Sequence, residues 1–282
     1  MSSRRSFFYN YKAHVDLALP SQNMLFKKLG DIDIVAEYTF CAVRTFKYNS
    51  KRSHFSHRMY VKKKAIRCKV NMGGCDENVN IERDLCKTFM LNSYAMLDIF
   101  IEHYRTDIQH LIDPSFCLSS DNTKSKVEKL LIPLKRLGIE PECPEWLLPC
   151  LNYYRLVRNG SAHNLANETA CKAAYERIDT EKLWNDYPVF AHKVPNNPNE
   201  INLDDFYFYS ACIKHFANYL VMALKGKVQW ERLGEIHPKF QRANIPSASN
   251  PRTWVNSVLN EYRSQATQAE RDKIVEYIKA NK

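Results

Sequence analysis

The sequence predicts a mainly all-α protein, an up-down bundle of helices with a small mixed or helical N-terminal region. Apolar residues recur at three- and four-residue spacing over long stretches without Gly or Pro, which is typical of helices packed on a core. Only 7 of the 282 residues are Gly, too few for a fold built on many tight turns. Hydrophobic residues make up 45% of the chain and charged residues 26%, the mixture of a globular protein.

Four segments carry the strongest helical pattern, and together they supply what a bundle needs. They are residues 79–105, 145–158, 162–178 and 204–224. In the second segment an apolar stripe runs from Trp146 to Val157 and faces one side of the expected helix. Shorter helices are expected at residues 124–137, 251–264 and 268–280.

The N-terminal part of the chain has a weaker pattern. Residues 23–47 show near-helical spacing, whereas the alternation of Ile66, Cys68 and Val70 with basic residues suggests a short strand. We therefore expect three consecutive parts. They are a basic N-terminal region with short strands at 1–76, a helical bundle at 77–228 and a C-terminal helical extension at 229–282.

Positive charge is concentrated in one segment of a chain whose formal net charge is +10. Residues 44–69 contain no Asp or Glu, and they contain these basic residues: Arg44, Lys47, Lys51, Arg52, Arg58, Lys62, Lys63, Lys64, Arg67 and Lys69. Tyr48, Phe55 and Tyr60 lie among them and offer rings for base stacking. The segment is therefore either a surface for RNA or another polyanion, or a plain solvated face.

Several classes of protein are disfavoured. The first 20 residues lack the apolar run of a signal peptide, and no stretch approaches the length of a membrane span, so we expect a cytoplasmic protein without membrane contact. The nine cysteines include no C-x-x-C pair, which favours reduced thiols. We expect no cofactor, since no phosphate-loop or dinucleotide motif occurs, and no metal, since His54 and His57 lack further ligands.

The most informative segment is residues 158–163, Arg-Asn-Gly-Ser-Ala-His. On an unbroken helix Arg158 and His163 would point about 140° apart, at 3.6 residues per turn. We expect Gly160 to break the helix and Ser161 to cap a new one, so that the two side chains converge. Arg offers a fixed charge for phosphate oxygens, and His moves protons near neutral pH. The pair suits metal-independent RNA cleavage, in which the 2′-oxygen attacks the adjacent phosphate.

Residues 151–163, L-N-Y-Y-R-L-V-R-N-G-S-A-H, resemble the R-x4-6-H signature of HEPN domains. In that family the Arg is commonly followed by Asn, and many members are dimeric, metal-independent endoribonucleases of toxin–antitoxin and antiphage systems. The resemblance implies a helical bundle over residues 79–225, with His163 as acid/base and Arg158 as phosphate clamp. Asn159 becomes an orienting or contacting group, and a homodimer would bring two His and two Arg into one cleft.

Two features leave details of this resemblance open. Members modified by a nucleotidyltransferase antitoxin often carry Tyr two residues after the His, and Leu165 at that position weakens such a pairing. A polar or acidic residue of the first long bundle helix often supports the site. The candidates for that role are Asp98, Glu102 and His103.

The leading hypothesis is therefore a HEPN-type endoribonuclease that acts on RNA as a toxin or antiphage (abortive-infection) effector. Its expected partners are RNA, a second copy of the chain, and an antitoxin or regulatory protein that restrains it. A non-catalytic RNA-binding or scaffold protein with the same fold is the first alternative. A helical subunit whose basic face meets an acidic protein is the second, and it would lack a salt-sensitive affinity for nucleic acid.

Overall fold

The structure, a computed structural model, describes residues 17–71, 80–163, 168–237, 250–262 and 266–280. Within these ranges every regular element is helical, so the predicted all-α class is confirmed. In chain order the helices are α1 Pro20–Lys51, α2 His57–Cys68, α3 Ile81–Leu111, α4 Lys126–Arg136, α5 Leu147–His163, α6 Glu168–Tyr175, α7 Thr180–Asp186, α8 Leu203–Met222, α9 Arg232–Ile236, α10 Pro251–Glu261 and α11 Gln268–Ala280. A short 3-10 turn, Pro188–Phe190, follows α7.

Helices α3 and α8 confirm two of the four strongest predicted helices, and their ends have local causes. The Oδ1 atom of Asn202 accepts a hydrogen bond from the Asp204 amide at 2.8 Å, which caps α8. Helix α4 begins with a reciprocal capping box between Ser125 and Glu128. It ends before Gly138, whose φ of +65° is a left-handed conformation that glycine adopts easily.

The predicted strand around residues 66–70 is wrong, because the chain there belongs to helix α2 and its C-terminal cap. Val61 and Ala65, one helical turn apart, are the buried residues of this helix, whereas Ile66 is 71% exposed. The Oγ atom of Ser56 accepts a hydrogen bond from the Met59 amide and starts the helix. An alternation over five residues is too short to distinguish a strand from a basic helix with a narrow apolar stripe.

The chain folds as two compact units, each built from separate stretches of sequence. The first unit comprises Met1–Lys28, Ala95–Leu147 and Cys212–Lys282. The second unit comprises Leu29–Tyr94 and Leu148–Ala211. The consecutive parts expected from the sequence, with boundaries after residues 76 and 228, are a different division and stay predictions.

Aromatic rings form much of the core of the second unit. Phe89 of α3 lies between Phe40 of α1 and Phe206 of α8, with ring centroids 6.3 and 5.6 Å away. Tyr154 of α5 packs against Tyr209 of α8 at 5.2 Å. Paired rings of this kind add about 1 kcal/mol each to the free energy gained from apolar burial. Helix α5 is therefore anchored to α8 through rings.

A buried carboxylate adds a polar anchor to the same core. Asp205, at the start of α8, accepts hydrogen bonds from the Tyr154 hydroxyl at 2.8 Å and from the Asn196 amide at 2.9 Å. Its second oxygen accepts from the Asn202 amide at 3.0 Å. Burial raises the pKa of Asp205, and these donors oppose that rise. The carboxylate thus joins α5, the loop before α8 and the first turn of α8.

Long-range hydrogen bonds hold the helices of the first unit together. The Tyr104 hydroxyl of α3 donates to the Leu220 carbonyl of α8 at 2.9 Å, in the buried interior. The Ser21 amide, at the start of α1, donates to the buried Asp107 carboxylate of α3 at 3.3 Å. The helices α10 and α11 pair through Arg252, whose guanidinium lies 3.2 Å from the Asp272 carboxylate.

Two buried titratable groups of the first unit change the free energy of unfolding with pH in opposite directions. Burial raises the pKa of Asp107 to about 6, although hydrogen bonds from Ser21 lower it, and burial lowers the pKa of His215 to about 4. Between pH 4 and 6 the folded protein holds the Asp107 proton more tightly than the unfolded chain does, so this group makes stability fall as pH rises. His215 does the reverse up to its ordinary pKa of 6.5.

We therefore predict that Asp107→Asn makes the free energy of unfolding rise with pH between 4 and 6.5, while His215→Gln makes it fall. Between pH 4 and 6.5, the free energy of unfolding of each variant should change by about 3 kcal/mol relative to that of wild type, since one pKa unit corresponds to about 1.36 kcal/mol. Urea unfolding at a series of pH values measures it. Profiles of both buried variants that run parallel to the wild-type profile would contradict the assignment.

Candidate functional site

Helix α5 carries the signature segment and is fixed by one buried face. The apolar stripe expected from the sequence is confirmed, since each of its residues is buried: Trp146, Leu147, Cys150, Leu151, Tyr154 and Val157. Tyr153 is buried beside Tyr154, with ring centroids 5.0 Å apart. Its hydroxyl donates to the Asn196 carbonyl. These contacts fix the axis and rotation of α5 within the second unit.

The expected break at Gly160 is wrong, because α5 continues as a helix from Leu147 to His163. The second helix expected at residues 162–178 begins only with α6 at Glu168. A glycine inside a helix costs only about 1 kcal/mol relative to alanine, and the buried face of α5 offsets that cost. Ser161, which the sequence suggested as a cap, is therefore an interior residue of α5.

The continuity of α5 separates Arg158 from His163. Five residues along an unbroken helix correspond to a rotation of about 140° and a rise of about 7.5 Å. The helix junction at which the two residues were expected to converge is therefore absent. No new helix begins at Ser161, because this residue lies inside α5. The side chains of Ser161 and His163, together with all of Leu165, lie outside the described residues.

The structure holds the guanidinium of Arg158 in a defined position. Its Cζ atom lies 4.4 Å from the centroid of the Tyr94 ring of α3, a cation–π arrangement. Its Nη1 atom donates to the Asn159 Oδ1 atom at 2.7 Å. Its Nε atom is buried and has no hydrogen-bond partner among the described residues. Arg158 is thus a half-buried, oriented cation with donor capacity beyond the bond to Asn159.

Tyr94 is the contact that the sequence did not reveal. It lies on the predicted long helix, one turn before Asp98, so helical spacing alone placed it on the right element. Nothing in the sequence paired it with α5, because a cation–π contact between distant helices leaves no local pattern. The role of Asn159 as an orienting group agrees with its hydrogen bond to Arg158.

The three supporting residues expected on α3 belong to the first unit, whereas Arg158 belongs to the second. Glu102 forms ion pairs with Arg105 at 3.3 Å and with Lys126 of α4 at 3.3 Å. His103 is exposed, and its charge lowers the pKa of Asp107. Asp98 is half-buried. Within the second unit, Tyr94 and Asn159 contact Arg158.

A second feature of the second unit is a basic hairpin, which we define as residues 44–69, the end of α1, the connecting turn and α2. Several of its cations lie over its own rings. Lys63 lies 3.5 Å from the Phe55 centroid, and Arg52 lies 5.3 Å from the Tyr48 centroid. Both rings are exposed, at 43% and 56%. The hairpin thus presents cations and aromatic surface together.

One carboxylate neutralises part of this charge. Glu82 of α3 receives the Lys47 ammonium at 3.0 Å and the Arg44 guanidinium at 3.3 Å. Burial raises the pKa of Glu82, but these two cations outweigh burial and hold it below its ordinary value. The other basic side chains of the hairpin are largely exposed, as follows: Lys51, Arg52, Arg58, Lys62, Lys63, Arg67 and Lys69.

No metal centre emerges from the part of the chain that the structure describes, where no three His, Cys, Asp or Glu side chains cluster with metal-site geometry. His57 of the pair His54-x-x-His57 instead lies 2.8 Å from the Ser50 hydroxyl through its Nδ1 atom. Among the described helices, none combines the length and apolar character that a membrane span requires. Comparisons with protein-family models, curated proteins and solved structures find no match to the chain.

We predict that Tyr94 and Arg158 are energetically coupled. Tyr94→Leu removes the ring under the guanidinium and should cost about 1 kcal/mol of stability more in wild type than in an Arg158→Met background. Tyr94→Phe retains a ring and should keep most of the coupling. Denaturant unfolding of the four proteins of this cycle measures it, and strictly additive effects of the two substitutions would contradict the cation–π contact.

Proposed function

We propose that this chain is a metal-independent endoribonuclease of the HEPN type that acts as a toxin or antiphage effector. Arg158 serves as the phosphate clamp, Asn159 orients it and His163 is the acid/base. The observation that carries the proposal is the orientation of Arg158. A fixed guanidinium, stacked on Tyr94 and held by Asn159, stabilises a phosphorane-like transition state without reorganising during the reaction.

The continuous helix α5 decides how such a site would be assembled. Positions 158 and 163 are about 140° apart around a continuous α5, so in this proposal one copy of the helix does not supply both residues to one phosphate. A homodimer solves this problem if Arg158 of one copy and His163 of the other face the same phosphate. The two-fold symmetry of a dimer then creates two equivalent sites. The separation of the two positions around α5 thus supports the dimer that the family resemblance implies.

The chemistry needs no metal ion. His163 as a base accepts the proton of a ribose 2′-OH, and the 2′-oxygen attacks the adjacent phosphorus. Arg158 neutralises charge on the non-bridging oxygens as the bond to the 5′-oxygen breaks. The leaving 5′-oxygen takes a proton from water, and the products are a 2′,3′-cyclic phosphate and a 5′-hydroxyl. Asn159 acts through Arg158 and is a positioning residue in this scheme.

The basic hairpin would supply most of the affinity for RNA. Its exposed cations attract phosphates, and its exposed rings of Tyr48 and Phe55 accept bases by stacking. This affinity should fall steeply as salt rises, since binding releases counterions from RNA. A ribonuclease of this kind requires restraint in the cell, so we propose an antitoxin or another regulatory protein as partner.

A non-catalytic RNA-binding protein with the same fold is the second candidate. The continuity of α5 through Gly160 favours it, because the helix break expected to bring Arg158 and His163 together within one chain is absent. In that case Arg158 bridges α3 and α5 through Tyr94, and the basic hairpin alone meets RNA.

Cleavage of RNA by the purified protein in EDTA tests the proposal. We expect wild type to release fragments with 2′,3′-cyclic phosphate ends, and Arg158→Ala and His163→Ala each to lose at least about a hundredfold in rate. Asn159→Ala should lose less, since Arg158 keeps its contact with Tyr94.

Arg155→Ala is the matched control, because Arg155 lies one turn from Arg158 on α5 and its guanidinium bonds to Asn152. It should cleave like wild type. Binding of RNA by filter retention across a salt series separates the two candidates. A folded wild type that binds RNA but never cleaves it would replace the ribonuclease with the second candidate.

A further inference from the structure

Two cations on the N-terminal part of α3 lack the hydrogen bonds that half-buried charges normally make. Arg83 and Lys87 are both half-buried, and they lie one helical turn apart within the second unit. Among the described residues, neither side chain donates a hydrogen bond, and the Nε atom of Arg83 is buried without a hydrogen-bond partner. We call these two residues the α3 cation pair.

The acids beside the pair in the sequence do little to neutralise it. The Oδ1 atom of Asp84 lies 3.6 Å from the Arg83 Nε atom, which is longer than a hydrogen bond, and the Asp84 side chain is 55% exposed. Glu82 is engaged elsewhere, since it receives Arg44 and Lys47 of the basic hairpin. The α3 cation pair therefore keeps most of its positive charge.

The pair acts against the stability of the free protein. Burial lowers the pKa of Lys87, and the charge of Arg83 lowers it further, although Asp84 and Cys171 oppose this change. Like charges four residues apart on a helix repel one another. Arg83 also lies in the first turn of α3, where the helix dipole favours an acid over a base. An anion bound between the two side chains offsets all of these costs.

The pair lies on the same side of α3 as the ring that holds Arg158. At 100° per residue, Arg83, Lys87 and Tyr94 fall within about 40° of one another around the helix. Lys87 precedes Tyr94 by about 10 Å along the helix axis, at 1.5 Å per residue. Because helical side chains lean toward the N-terminus, the Lys87 side chain is directed away from Tyr94. The pair and Arg158 therefore suit different phosphates of one strand.

We propose that the α3 cation pair is a second phosphate site, which holds a backbone phosphate of the same RNA strand whose scissile phosphate Arg158 holds. The identity of the strand rests on the proposed function, whereas the site itself rests on the two unbonded cations. The guanidinium of Arg83 offers a fork to two phosphate oxygens, and the ammonium of Lys87 offers a point charge. Since phosphates carry no sequence information, the site positions the strand without reading its bases.

The position of the pair favours a strand over a free phosphate ion. Glu82, which binds Arg44 and Lys47 of the basic hairpin, directly precedes Arg83 in the first turn of α3. The cations of the hairpin, the pair and Arg158 thus follow one another along α3 within the second unit. A polyanion can contact all three groups at once, and each contact adds to its affinity.

The salt dependence of binding tests the site with an RNA that the proposed chemistry cannot cut. A 2′-O-methyl oligonucleotide lacks the attacking hydroxyl, so its binding is measured whether or not the protein cleaves RNA. Replacing both residues, Arg83→Met with Lys87→Met, should weaken binding at least about fivefold at low salt. It should also reduce the slope of log K against log salt by about 0.7, the value for one phosphate of a single strand.

Two comparisons make this binding test specific. Oligo-U and oligo-A of equal length should lose affinity by the same factor, because the lost contact is to a phosphate. Lys279→Met is the control for the loss of a positive charge, since Lys279 is an exposed residue of α11. It should leave the slope unchanged, and Lys87→Arg, which retains the charge, should keep most of the wild-type affinity.

Urea unfolding of the free protein separates a ligand site from a structural role. Lys87→Met removes a half-buried charge and its repulsion with Arg83, so the urea midpoint should rise while the affinity for RNA falls. A structural role predicts a lower midpoint and an unchanged salt slope. That pair of results would overturn the proposal.

The remaining outcomes separate this site from the proposed function and from a smaller ligand. Active cleavage by wild type, beside a double variant that binds with the wild-type slope, would remove the site and leave the ribonuclease. A reduced slope beside a wild type that never cleaves would support the site and remove the ribonuclease. Inorganic phosphate at micromolar concentration should leave the urea midpoint of wild type unchanged. A midpoint that it raises in wild type but not in the double variant would assign the pair to a small phosphorylated ligand, against the RNA strand proposed.

Discussion

The anchoring of α5 by its buried face controls what the signature segment can do. Tyr153 and Tyr154 leave one side of this helix and are fixed by aromatic neighbours and by hydrogen bonds to Asn196 and Asp205. Once that side is fixed, every later residue of α5 has a set direction, because the helix runs on through Gly160 to His163. Arg158 is turned toward Tyr94 of α3, and position 163 lies about 140° further around the same helix. The aromatic core of the second unit thus fixes the direction of Arg158, and the catalytic pair that we propose combines residues of two chains.

The sequence predicted the helical class and most helices, since long apolar periodicities reflect burial on one side, as in α3 and α8. It failed where a local signal competed with packing. Gly160 and Ser161 look like a helix end, yet the cost of about 1 kcal/mol for one glycine is small beside the buried stripe of α5. The pairing of Arg158 with Tyr94 joins residues 64 positions apart, and no local pattern encodes such a contact. The role proposed for Asn159, an orienting or contacting group, follows from the family resemblance and not from a local pattern.

The basic hairpin of the second unit presents cations and exposed rings together, which suit phosphates and bases. In the function that we propose, this surface supplies affinity for RNA, whereas the residues of α5 supply the chemistry.

Mixed dimers test the central claim most directly, because that claim is a site shared between two chains. Chains carrying Arg158→Ala and His163→Ala, with different affinity tags, can be co-expressed and the mixed dimer purified through both tags. If each site combines Arg158 of one copy with His163 of the other, the mixed dimer contains one intact site. It should recover about half of wild-type cleavage in EDTA, while either variant alone stays silent. A mixed dimer as silent as its parents, beside an active wild type, would contradict the shared site.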